Sequence, residues 1–123
     1  MKKATSIMIV DDEPDIIEAF SMILQSMGHN VVATAGNGFD ALFLYSKHKP
    51  DVVFLDYDIP GLDGLIVAEK LHAKNPDTRI VVLSGKIDMN DLPLQHSNRF
   101  NIFNKPVTKE QLANYFDGFE SRC

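Results

Sequence analysis

Short apolar runs bounded by turn residues recur along this chain and alternate with stretches of helical periodicity. Ile7-Met8-Ile9-Val10, Val52-Val53-Phe54-Leu55, Ile80-Val81-Val82-Leu83 and Ile102-Phe103 are such runs. Continuous apolar runs of this length read as strands buried on both faces. Strands are expected at 6–10, 31–35, 52–55, 80–83 and 101–104. The first helix begins near Pro14, a residue suited to a first helical turn. Its buried stripe is Ile16, Ile17, Phe20, Ile23, Leu24 and Met27, and Gly28 ends it in the left-handed cap. The second runs from Gly38 to His48 and carries Ala41, Leu42 and Tyr45. The third opens with Asp63 as cap, includes Ala68 and Leu71, and ends before Asn75-Pro76. Thr108 caps the last helix, whose stripe is Leu112, Ala113, Phe116 and Phe119. Pro93 and three asparagines interrupt the stretch 86–101, which is read as one short or irregular fourth helix.

Strands alternating with helices build β-α-β units and a parallel sheet. The fold class is therefore α/β, a doubly wound five-stranded parallel sheet with helices on both faces. Right-handed crossovers favour the order 2-1-3-4-5. In that order the C-terminal ends of the strands share one edge, where open sheets of this kind bind ligands. Strand one ends in Asp11-Asp12, strand three in Asp56, strand four in Ser84, and strand five leads into Lys105-Pro106.

Three carboxylates a few ångströms apart repel by about 4 kcal/mol per close pair in a protein-surface dielectric. A bound cation or a held proton relieves this, and a hard divalent ion such as Mg²⁺ suits a few carboxylates and several waters. One of Asp11 and Asp12 could instead simply cap the first helix. That does not explain a third aspartate ending the adjacent strand. An aspartate there can act as a nucleophile toward phosphorus. The cation would neutralise phosphoryl oxygens, Ser84 would donate its hydroxyl, and Lys105 would supply a point charge. Taken singly, Ser84 reads as a turn residue and Lys105 as a surface lysine. Pro106 changes the reading of Lys105, because an X-Pro bond directly after a strand is a candidate for the cis form, which would fix the lysine's direction.

Composition narrows the classes. The chain has 123 residues, enough for one domain with a core and too few for two, so residues 1–123 are read as a single domain. A net charge of −5 argues against non-specific nucleic-acid binding. No apolar stretch approaches a membrane span, and Met1-Lys2-Lys3 leads into a strand, not a signal peptide. The single Cys123 excludes a disulfide framework and fits a reducing cytoplasm. No membrane partner is expected. His29, His48, His72 and His96 show no ligand spacing and are read as solvated.

The ordered set Val10-Asp11-Asp12-Glu13, Asn37-Gly38-Phe39-Asp40-Ala41-Leu42, Pro50-Asp51-Val52-Val53-Phe54-Leu55-Asp56, Ile59-Pro60-Gly61-Leu62-Asp63-Gly64, Leu83-Ser84-Gly85 and Lys105-Pro106 resembles the receiver domain of two-component response regulators. The resemblance covers essentially the whole chain and implies a flavodoxin-like fold. It implies that Asp56 accepts a phosphoryl group from a sensor histidine kinase, a phosphotransfer protein or a small acyl phosphate. Asp12, Asp56 and the backbone carbonyl of Asp58 would coordinate Mg²⁺, or Mn²⁺ in its place, with Asp11 acting through water. Ser84 and Lys105 would contact the phosphoryl group. The face made by the fourth helix, fifth strand and fifth helix would then change its affinity for a downstream protein target, or form a homodimer, with no direct nucleic-acid contact. Such a domain is not an enzyme in the usual sense, although it assists its own phosphorylation and dephosphorylation. No output segment is expected after the last helix, which leaves a stand-alone regulator or a piece of a longer chain.

Two departures bear on the switch. The family carries Tyr or Phe three residues before the lysine; here that position is Ile102, and Phe103 follows on the opposite face. The small-residue pair expected before strand five is replaced by Ser97-Asn98-Arg99-Phe100. Asp58 and Lys86 lie two residues past Asp56 and Ser84, positions that flank the site entrance in this family. They are expected to face each other and modulate water access, against the alternative of two solvated charges of little energetic weight.

Three other readings compete. Phe54-Leu55-Asp56-Tyr57-Asp58 resembles the Asp-x-Asp motif of haloacid-dehalogenase-type phosphatases, but Pro60 and the upstream acid pair do not fit. Gly36-Asn37-Gly38-Phe39-Asp40-Ala41 matches a dinucleotide-binding pattern, yet it follows an edge strand and is read as a turn. A phosphorylation-independent protein-binding module keeps the fold and drops the chemistry.

Overall fold

The computed structural model describes residues 5–61, 63–85 and 100–120. Along the chain these form β1 (Ser6–Val10), α1 (Pro14–Ser26), β2 (Asn30–Ala35), α2 (Gly38–His48), β3 (Val52–Asp56), α3 (Gly64–Lys74), β4 (Arg79–Ser84), β5 (Phe100–Asn104) and α4 (Lys109–Glu120). The fourth helix expected at 86–101 falls almost wholly outside the described residues, so the last helix is α4 here.

All strand pairings are parallel, and the order is β2-β1-β3-β4-β5. β3 lies at the centre, and every one of its residues is buried. β2 is the edge strand that the order 2-1-3-4-5 implies. It pairs only with β1 and alternates exposed with half-buried positions until Ala35. An edge strand covered on one side needs apolar residues only at every second position.

Alternation divides the core into two layers. Met8, Val10, Val53, Leu55, Ile80 and Val82 point toward Ala41 and Tyr45 of α2 and Val67, Ala68 and Leu71 of α3. Ile7, Ile9, Phe54, Val81 and Leu83 point the other way, onto Phe20 and Leu24 of α1 and Leu112 and Phe116 of α4. Phe54 packs edge-on against Phe20 at 4.9 Å between ring centroids.

Local chemistry sets the helix ends. Asp63 Oδ1 accepts from Leu65 N at 2.8 Å, and Asn37 Oδ1 accepts from Asp40 N at 2.8 Å. Thr108 and Gln111 form a reciprocal capping box, Gln111 N donating to Thr108 Oγ1 and Thr108 N to Gln111 Oε1. Gly28 takes a φ of +90° just past α1, the left-handed region glycine enters without a Cβ penalty.

Three expectations need correction. Ile16 is 45% exposed and not part of the buried stripe of α1. His29 is half-buried with its ring against Phe116, 4.0 Å between centroids, and is not a solvated surface residue. His72 is half-buried as well. The His29 case has a plain cause, since α4 packs on the turn after α1, a contact that no local pattern reports.

Candidate functional site

Register brings the chemical residues together. Val10 stands opposite Leu55, so the next residues along, Asp11 and Asp56, share the same sheet edge. Asp56 is paired with Leu83 and Ser84 with Asn104. Ser84 and Lys105 are therefore each one step further on than their neighbour. Backbone bonds continue the ladder past the strand ends: Asp11 N to Ala35 O at 3.0 Å, Tyr57 N to Leu83 O at 2.9 Å and Lys105 N to Ser84 O at 2.9 Å. The edge is thus held by main chain, and the side chains project from a fixed frame.

Asp11 and Asp56 are buried, at 3% and 5% exposure, while Asp12 is exposed. One carboxylate oxygen from each of the three lies within 4.8 Å of the others. Each buried carboxylate is oriented by an amide two residues ahead. Glu13 N donates to Asp11 Oδ1 at 2.9 Å, and Asp58 N donates to Asp56 Oδ1 at 3.2 Å. Neither Asp11 nor Asp12 caps α1. The cap position is Glu13, with no side-chain bond, and Asp11 instead closes the turn leading into it.

Lys105 follows directly on β5, two strands from β3 and so about 10 Å away at the usual strand spacing. Its four-carbon stem spans that gap. Lys105 Nζ lies 2.9 Å from Asp56 Oδ2 and 3.7 Å from Asp11 Oδ2. The Lys105–Pro106 bond is cis. Burial pulls the lysine's pKa down, but the Asp56 hydrogen bond and the Asp56, Asp11 and Glu13 charges outweigh it, and the net shift is upward. Burial raises the Asp11 carboxyl above the ordinary 3.8. The Glu13 amide and Lys105 oppose that rise, and the charges of Asp56 and Asp12 add to it. Among the described residues, one cation thus faces three carboxyl groups. This donor set of hard oxygens in excess of positive charge fits a divalent ion such as Mg²⁺.

The other expected residues divide. Ser84 is buried at the end of β4. Asp58 is exposed; its carboxylate is not one of the three clustered, and it meets the site through its N–H. Lys86 lies outside the described residues, so its pairing with Asp58 is not placed. Ile102 packs on the layer of α2 and α3, whereas Phe103 packs on the opposite layer, 5.8 Å from Tyr115 and edge-on. The glycines at 36 and 38 frame the Asn37 cap, and Gly38 N donates to Pro60 O, which fits a turn.

Two features escaped the sequence. An apolar cavity of about 400 Å³ opens beside the site, lined by Ile16, Phe20, Ile23, Phe54, Lys105 and Val107 among others. It explains the exposure of Ile16, whose apolar face meets this opening. The second is the close approach of Gly64 to the Asp56–Tyr57 backbone, which no spacing rule could report.

Residues 7–117 match the family model of the response regulator receiver domain. The chain belongs to this receiver family. Among curated relatives, it is 38% identical over 86 residues to the probable transcriptional regulatory protein TcrX of Mycobacterium tuberculosis, covering 70% of this chain and 36% of TcrX. The chain spans 36 to 39% of the length of the first curated relatives it matches. The fold is that of chemotaxis protein CheY4 of Vibrio cholerae, with a TM-score of 0.82 at 23% identity, covering 94% of this chain and 98% of CheY4. A LuxR-family two-component response regulator from Aurantimonas gives a TM-score of 0.84 at 22% identity, over 97% of this receiver and 86% of that chain. These neighbours share the five-stranded 2-1-3-4-5 sheet. No helix among the described residues is long and apolar enough to cross a membrane.

Proposed function

We propose that residues 1–123 act as one receiver domain that takes a phosphoryl group on Asp56 in a Mg²⁺-dependent reaction. The observation that carries this is the convergence of Asp11, Asp12 and Asp56 with Lys105 bonded to Asp56. The donor is a sensor histidine kinase, a phosphotransfer protein or a small acyl phosphate. A carboxylate oxygen of Asp56 forms the new O–P bond as the P–N bond to the donor imidazole breaks, and the imidazole keeps the electron pair and takes up a proton. Asp11, Asp12, Asp56 and the Asp58 carbonyl would hold Mg²⁺, or Mn²⁺, which supplies charge neutralisation for the phosphoryl oxygens. Lys105 pairs with Asp56 before transfer and with a phosphoryl oxygen afterwards, and Ser84 donates its hydroxyl to another.

The added charge biases a two-state element. In this reading Ser84 and the face around β5 carry the change to a downstream protein target or to a second copy of the chain. Ile102 and Phe103 sit on opposite layers, so Phe103 does not replace an aromatic at position 102. The domain turns over no separate substrate and resides in the cytoplasm with its donor. The expectation of no direct nucleic-acid contact gains no support from TcrX, a probable transcriptional regulatory protein by name. It stays outside this proposal.

The test is the intact mass of wild type and Asp56→Asn after incubation with acetyl phosphate, with and without Mg²⁺. One phosphoryl mass is expected in wild type with Mg²⁺ alone. No gain from acetyl phosphate or from a phosphohistidine donor would overturn the proposal in favour of a phosphorylation-independent binding module.

A further inference from the structure

Gly64 is the first residue of α3 and is buried. A Cβ at this position would fall 2.8 Å from Tyr57 Cα, 2.9 Å from the Tyr57 carbonyl oxygen and 3.1 Å from the Asp56 carbonyl oxygen. All three are main-chain atoms, which cannot swing aside as the tip of a long side chain can. Backbone freedom is not what glycine provides here, because the glycines with positive φ are Gly28 and Gly61. Helix propensity does not call for it either, since alanine is the better helix former. What remains is the close approach itself: the first turn of α3 rests directly on the peptide that follows the end of β3.

That peptide is held from the other side as well. Tyr57 N donates to Leu83 O of β4 at 2.9 Å. The segment just after Asp56 is therefore clamped between β4 and α3. The next amide, Asp58 N, is the one that donates to Asp56 Oδ1. We infer that Gly64 is a positioning residue for the phosphorylation site: lacking a Cβ, it lets α3 seat against the Asp56–Tyr57 backbone and so fixes the Asp58 N–H that orients the Asp56 carboxylate. A methyl at position 64 must push Tyr57 away from α3 or lift α3 off it. Either motion moves the Asp58 amide relative to Asp56 Oδ1, while Lys105 still holds Oδ2. The inference rests on Asp56 being the phosphoacceptor.

The test compares Gly64→Ala with Gly28→Ala. The second adds a methyl at a φ of +90° in a turn after α1, with nothing within 4 Å of the new atom, so it strains the fold away from the site. Both proteins are assayed below their melting temperatures. The readouts are the rate of phosphorylation by acetyl phosphate with Mg²⁺ and the ¹⁵N–¹H resonance of the Asp58 amide with no metal added. Gly64→Ala is expected to slow phosphorylation by about 10-fold or more, in line with the cost of small misplacements of reacting groups, and to move the Asp58 resonance. Gly28→Ala is expected to melt earlier and change neither readout. A folded Gly64→Ala with wild-type rate, or with a slower rate and an unmoved Asp58 resonance, overturns the inference. So does failure of Gly64→Ala to fold where Gly28→Ala folds, since Gly64 would then serve the fold alone. If wild type itself is not phosphorylated, the proposed function fails by itself, and the Asp58 resonance still decides the positioning role.

Discussion

The two sides of the site are built differently. On the side of β1 and β3, Asp11 and Asp56 are buried and each is turned by a main-chain amide two residues ahead. On the side of β5, a lysine with 34% of its side chain exposed reaches across β4 and is held by charge. The buried carboxylates are turned by main-chain amides, whereas the lysine is held by those carboxylates. A side chain with four rotatable bonds keeps one direction only where a partner rewards it. The acid side is thus the fixed receptor and the lysine its movable complement. That division suits a site in which Lys105 must exchange a carboxylate oxygen for a phosphoryl oxygen.

The largest effect should come from breaking the fixed side. Asp56→Asn is expected to abolish phosphoryl uptake from acetyl phosphate, read by intact mass, while the fold persists by circular dichroism. A phosphorylated Asp56→Asn protein would mean that another acid accepts the group. Breaking the movable side should do less. Lys105→Ala is expected to slow phosphorylation by about 10-fold or more, as for the loss of one preorganised charge at a reacting group. It should also lower metal-free stability by about 1 kcal/mol, a modest figure because the lysine is partly screened by water. Urea unfolding with and without Mg²⁺ checks this. The deficit should shrink when Mg²⁺ is added, because the ion replaces the missing positive charge.

Relieving the acid side without touching its buried members gives a smaller change of opposite sign. Asp12 is the exposed carboxylate of the three. Asp12→Asn removes one repulsion and is expected to raise metal-free stability by roughly 0.5 kcal/mol, a screened surface value. It should also weaken the rise in melting temperature that Mg²⁺ produces in wild type. An Asp12→Asn protein with an undiminished Mg²⁺ response would remove Asp12 from the ligand set.

Most of this architecture was legible in the chain. Strand order follows from the buried runs and right-handed crossovers, and with the register of the structure it brings Asp11, Asp56, Ser84 and Lys105 to one edge. Alternation along β5 correctly set Ile102 and Phe103 on opposite layers, because a strand's period is a local property. What escaped depends on contacts between distant segments. The burial of His29 needs α4 beside the turn after α1. The exposure of Ile16 needs the opening between α1 and the turn after β5. Glu13 stands at the cap position without a side-chain bond, so no capping signal marks it, and Asp11 is turned to the Glu13 amide instead. Gly64 belongs to a motif that carries the resemblance, but its close approach had no local signal, since a glycine at a helix start looks like tolerated punctuation until the Tyr57 backbone lies against it.

The smallest effect is the one that separates burial from pairing at Asp11. Its carboxyl is raised above 3.8, with burial the largest cause and the Glu13 amide and Lys105 opposing it. A folded-state value above the unfolded one means that the native protein binds Asp11's proton at a pH where the unfolded chain has released it. Stability then falls as pH rises through that window and grows as acid is added. The contribution is unfavourable at neutral pH and vanishes once both states are protonated. Asp11→Asn lacks the titration. The melting temperature of wild type relative to Asp11→Asn should therefore rise as pH falls from 7 toward 4, in metal-free buffer. In a Lys105→Ala background the same comparison should be steeper, because the lysine's opposing charge is gone. A trend in the other direction would show that pairing with Lys105 outweighs burial at Asp11, and that the acid side is itself held by the lysine.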